Sequence, residues 1–130
     1  MSDRITEDVW PDLSTDAITT PVSILKQHAA SLSSKAKYLI TGEVETWTAD
    51  SMIYHRLNVV VPALDNYKYS LLRIHHSPTL YPVHIDEDPL DEHFFGVFAD
   101  EEGFRQYLRR AFSSEATKRI LQSLIAQAVA

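Results

Sequence analysis

Residues 38–85 read YLITGEVETWTADSMIYHRLNVVVPALDNYKYSLLRIHHSPTLYPVHI, and this stretch decides the fold. Apolar and polar residues alternate through it in runs of strand length, with no helical periodicity between the runs. Tyr38–Thr48 and Met52–Val61 flank Ala49-Asp50, a tight-turn dipeptide, so the two runs are expected to form an antiparallel hairpin. A two-residue loop at that point sets Ile40 against Val59, Val44 against His55 and Thr46 against Ile53 on one face. The other face then pairs Glu43 with Arg56, Glu45 with Tyr54, Trp47 with Met52 and Thr41 with Asn58. The first face is apolar enough to meet a core. A slip of one residue would oppose apolar and polar side chains throughout.

Pro62-Ala63-Leu64-Asp65-Asn66 suits a longer turn, after which Tyr67–His76 returns as a third strand. Two registers compete there. One places Leu72 beside Leu57 and Ile74 beside His55 in the core, with Arg73 beside Arg56 and His75 beside Tyr54 outside. The other stacks Tyr67, Tyr69 and Leu71 inside with Val61, Val59 and Leu57. The first is preferred. Ser77-Pro78 breaks the run, and Tyr81, Val83 and Ile85 alternate as a short fourth strand that Pro82 marks as an edge. Asp86–His93 reads as an acidic loop and Phe94–Phe98 as a candidate fifth strand.

Helices are expected on either side. Thr20 is a good N-cap and Pro21 suits the first helical position, followed by the apolar stripe Val22, Leu25, Ala29 and Leu32 and an end near Ser33-Ser34. Asp100 caps a second helix with Phe104, Tyr107, Leu108, Ala111 and Phe112 on one face, and Glu101 and Glu102 favoured in its first turn. Ser113 or Ser114 caps a third, whose face is Ile120, Leu121, Leu124, Ile125 and Ala128. Residues 1–19 form an acidic arm that Trp10 is expected to pin to the domain, and residues 20–130 form a single α+β domain. The expected architecture is one helix, a meander of four or five antiparallel strands, and two C-terminal helices packed on one sheet face.

Composition limits function. The chain has 130 residues, 45% hydrophobic and 10% aromatic, which is enough for one core. Its net charge of −6 gives no diffuse attraction to nucleic acid or anionic membranes, and neither is an expected partner. The twelve basic residues are scattered, and Arg105, Arg109 and Arg110 are spaced as the solvent face of a helix. With no cysteine, disulfides, thiolate metal sites and cysteine nucleophiles are excluded. Met1–Leu13 lacks a signal-peptide pattern, and no apolar run reaches the roughly 20 residues of a membrane span, so the expected location is the cytoplasm.

Chemistry is less legible. His55, His75 and His84 lie on successive strands with Asp86 near the last, which invites a metal site, but His55 and His75 fall on opposite faces and His75 and His76 diverge as strand neighbours. A structural or surface role therefore ranks above metal binding, and no cofactor is expected. His28 reads as a surface or boundary residue. The acidic segment Asp86, Glu87, Asp88, Asp91 and Glu92 lacks the glycine of a calcium loop and contains Pro89, so it reads as a solvated loop able to meet a basic partner. Three glycines are too few for a phosphate loop. The leading surface is the outer sheet face, with Glu43, Glu45, Trp47, Met52, Tyr54, Arg56, Arg73 and His75, because Trp, Tyr and Arg dominate interface hot spots. The expected function is a non-catalytic protein-interaction module with a possible homodimer. The alternative is a small enzyme or ligand-binding domain with a His/carboxylate pocket between sheet and helices, rimmed by His55, Glu43, Arg56 or His75.

Overall fold

The computed structural model describes residues 7–89 and 94–130. Helix α1 spans Pro21–Lys35, followed by strands β1 (Thr41–Ala49), β2 (Met52–Val61), β3 (Tyr67–His76), β4 (Val83–Glu87) and β5 (Gly96–Phe98), then helices α2 (Glu101–Phe112) and α3 (Glu115–Ala128). The strands form one antiparallel sheet in the order β1-β2-β3-β4-β5. The class is α+β. Thr20, Asp100 and Ser114 cap their helices through side-chain oxygens that accept from the N–H three residues on.

The hairpin keeps the expected faces but not the expected partners. The turn is Asp50-Ser51, with φ of 51° and 64°, which is the left-handed pair a tight hairpin loop requires. Moving the turn one residue shifts every pairing by two. Trp47 therefore lies opposite Tyr54, Glu45 opposite Arg56, Glu43 opposite Asn58, and Met52 opposite Ala49. A shift of two leaves side-chain parity intact, so each residue stays on its predicted face. Strand β1 also starts later than expected, because Lys37 and Tyr38 take φ of 52° and 63° as the chain leaves α1.

Between β2 and β3 both competing registers occur. Near the open end Leu57 meets Leu72, His55 meets Ile74 and Tyr54 meets His75, whereas near the turn Val59 meets Tyr69 and Val61 meets Tyr67. A β-bulge at Leu71 joins them. The extra residue lets both Leu71 and Leu72 sink into the core, where Leu71 is 3% exposed. Strand β4 is not an edge. It begins after Pro82, which therefore removes no hydrogen bond from it, and it lies between β3 and β5.

All three helices pack on one face of the sheet, and the core joins Ile24, Leu25 and Ala29 of α1 to Leu57, Val59, Leu72, Ile74, Val83 and Ile85 below and Phe104, Leu108 and Leu124 of the C-terminal helices. The stripe of α1 is rotated from expectation, with Ile24 and Ser33 buried and Val22 only half-buried. Gly42 is where α1 crosses β1: a Cβ there would stand 2.6 Å from Ala29 Cα and 2.7 Å from its carbonyl oxygen. The Gly42 N–H donates to Ser33 Oγ at 2.9 Å, and Ser33 donates on to the Ala29 carbonyl at 2.9 Å. Trp10 does not pin the arm, since it is 75% exposed. Among the described residues no helix is long and apolar enough to cross a membrane.

Candidate functional site: the open face of the sheet

With the helices on one face, the other carries two transverse rows of side chains. Trp47, Tyr54, His75, His84 and Val97 occupy matching register positions across all five strands. The rings touch in succession: Trp47 stacks on Tyr54 at 5.6 Å between centroids, Tyr54 meets His75 at 5.0 Å with planes tilted by 32°, and His75 stacks on His84 at 4.5 Å with planes 5° apart. The adjacent row is Glu45, Arg56, Arg73 and Glu87, acidic at both ends and basic in the middle. Arg56 joins the rows, since its guanidinium carbon stands 5.2 Å from the Trp47 ring centre.

The charges are only loosely neutralised. Arg56 Nε lies 3.7 Å from Glu87 and Arg73 Nε lies 3.8 Å from Asp86, both beyond hydrogen-bonding range, and neither Nε has an acceptor among the described residues. Glu43 pairs with Lys68 at 2.9 Å and not with Arg56, a correction that follows from the hairpin shift. Asn58 donates its amide to Glu45. His75 donates Nδ1–H to both oxygens of Asp86 at 2.9 Å.

The acidic segment is not a free loop. Strand β4 runs on to Glu87, so Asp86 and Glu87 belong to the sheet, where Asp86 holds His75 and Glu87 accepts from Ser70 Oγ at 2.9 Å. Asp88 accepts from the Tyr107 hydroxyl, and burial followed by that hydrogen bond pushes the phenol's pKa far up. Asp91 and Glu92 lie outside the described residues. Among the described residues, no three His, Asp or Glu side chains are grouped to hold a metal ion. The near-parallel stack of His75 and His84 is the reason on this face, because ring faces meet where nitrogens would have to converge.

Two further histidines, His55 and His76, form a buried pair on the core side, a feature that sequence reasoning missed. His55 and His76 are each 2% exposed and touch Nε2 to Nε2 at 2.9 Å. Protons can be placed by elimination. The Ser77 carbonyl only accepts, so His76 donates Nδ1–H to it at 2.8 Å and offers Nε2 as acceptor to His55. His55 Nδ1 then accepts from the Thr46 hydroxyl at 2.8 Å. Both rings are neutral in this arrangement. Burial, then His76 and Lys26, push the His55 pKa down to about 4. Diagonal placement of His55 and His76 on one face was the available signal, and it needed the β2–β3 register.

A cleft of about 560 Å³ opens on the helical side, between α1, α3 and the sheet. It contains His28 but none of His55, Glu43, Arg56 or His75, and among the described residues no carboxylate lines it. The close His–carboxylate contact, His75 with Asp86, stands on the open sheet face instead. No family model matches the chain, and no curated protein or solved structure gives a match.

Proposed function

We propose that this chain is a non-catalytic protein-interaction module whose working surface is the open sheet face, with a second copy of the chain among its partners. The observation that carries the reading is the row Trp47-Tyr54-His75-His84-Val97, left without a helix and flanked by the charged row Glu45-Arg56-Arg73-Glu87. Contact between neighbouring rings holds them in place, so little side-chain freedom is lost on docking. Five strands at about 4.8 Å spacing and about 3.3 Å per residue present on the order of 600 Å² of flat surface, near the roughly 800 Å² per partner of a standard interface.

Symmetry favours a copy of the same face. A two-fold axis lying between the rows sets the aromatic row of one protomer over the charged row of its partner, Tyr54 above Arg56 and His75 above Arg73. Every contact then occurs twice. The test is sedimentation equilibrium over a wide concentration range. A dimer is expected, with Trp47→Ala weakening association about thirtyfold, the scale of a hot-spot residue of about 2 kcal/mol. A chain that stays monomeric to about 1 mM would remove self-association from the proposal.

A further inference from the structure

The cleft on the helical side is a second site, independent of the sheet face. Its floor is Leu57 and Leu71 and its walls are Leu32, Phe112, Leu121 and Ile125. The bulge that brings Leu71 inward therefore builds the floor. On α3 only Thr117 and Leu124 are buried, so Leu121 and Ile125 remain half-exposed toward the opening, although the apolar stripe of this helix would normally be covered. At about 560 Å³ the cleft falls within the roughly 300–1,000 Å³ of small-molecule sites.

Charge selects the ligand. In a chain of net charge −6, the ionisable residues lining the cleft are Lys35, Lys118 and His28, all of them basic. His28 stands edge-on to Phe112 at 5.2 Å, and Arg109 adds further positive charge near it, while Arg105 is paired with Glu101 at 2.8 Å. Apolar walls with cations at the mouth suit one molecule with a hydrocarbon tail and an anionic head. Each methylene buried contributes about 0.8 kcal/mol, so the tail supplies the affinity and the lysines supply the choice of head group.

We infer that the cleft between α1, α3 and the sheet binds a free single-chain carboxylate, a fatty-acid-like anion, with its tail over Leu57 and Leu71 and its head between Lys35 and Lys118. The experiment is calorimetric titration of the full chain with dodecanoate below its micelle concentration, alongside dodecyltrimethylammonium, which has the same tail and the opposite head. One dodecanoate per chain is expected, with the cationic analogue at least about tenfold weaker. Leu121→Trp fills the cleft and should abolish binding. The double variant Lys35→Glu, Lys118→Glu changes only exposed side chains and should weaken dodecanoate about tenfold while strengthening the cationic analogue.

Equal binding of the two heads, no heat up to about 1 mM, or binding untouched by Leu121→Trp would each overturn the assignment. So would self-association that Leu121→Trp abolishes, which would give the cleft to a second copy, or capture of the protein by phospholipid vesicles in place of the free acid. Because Trp47→Ala acts on the opposite face, it should leave dodecanoate binding unchanged. The two sites therefore fail or stand separately.

Discussion

His55 is the residue whose chemistry the fold has altered most clearly. Its pKa lies near 4 in the folded chain against an ordinary value of 6.5, because protonation would charge a buried ring that sits beside His76 and within the field of Lys26. The unfolded chain therefore takes up the proton first. Stability from this site is complete above about pH 6.5 and falls away as the pH drops toward about 4, by about 2 kcal/mol once partial solvent screening is allowed for. Urea denaturation between pH 7 and pH 4.5 should show this loss in the native chain. The double variant His55→Phe, His76→Leu should lack it while retaining the acid sensitivity of the carboxylates. Parallel stability profiles for the two proteins would remove His55 as the cause. Gly42 makes a second residue-scale prediction. Gly42→Ala drives a methyl into the Ala29 backbone, which cannot rotate away as a side chain could, and should destabilise by about 2 kcal/mol or more in the same assay.

Among the elements, the β1–β2 turn lacks the glycine that its backbone favours. Asp50 and Ser51 both hold left-handed φ, which aspartate tolerates and serine does so less readily. The double change Asp50→Asn, Ser51→Gly relieves that strain in place. It is expected to raise the urea midpoint by the equivalent of about 0.5–1 kcal/mol with the slope unchanged. A lowered midpoint would show that these side chains contribute contacts beyond the turn. The bulge in β3 is the other element with consequences. Deleting Leu71 would force a single register on β2 and β3 and remove part of the cleft floor. Dodecanoate binding should then be lost, whereas association through the open face, which lies on the Tyr54-His75 side of the bulge, should persist.

In the whole molecule, placing three helices on one face divides the surface into two unlike regions. One is flat, ringed and mixed in charge. The other is concave, apolar and edged with cations. As proposed, their chemistries suit different partners, a protein face on one side and an amphipathic anion on the other. Loading the cleft should raise the melting temperature with dodecanoate concentration in the manner of a ligand that binds only the folded state. Differential scanning calorimetry with and without the ligand checks it, and a flat melting temperature would contradict specific loading.

The alternation in Tyr38–Ile85 was enough to determine four strands of the sheet and the face on which each residue of the hairpin lies, because side-chain parity is local and survives a shift of two. Caps at Thr20, Asp100 and Ser114 were equally legible, since each is a contact between residues three apart. Partnership was not. Trp47 meets Tyr54, and Glu43 meets Lys68, because the turn residues took positive φ one step later than composition suggested. Leu71 and Leu72 share the core because a bulge relieved a conflict that no single register could. Only tertiary packing decided that α1 would join the other helices on one side. That choice leaves one sheet face open and separates α3 from α1 by a cleft, and it depends on the depth at which Ala29 meets Gly42, a contact between segments that no local pattern links.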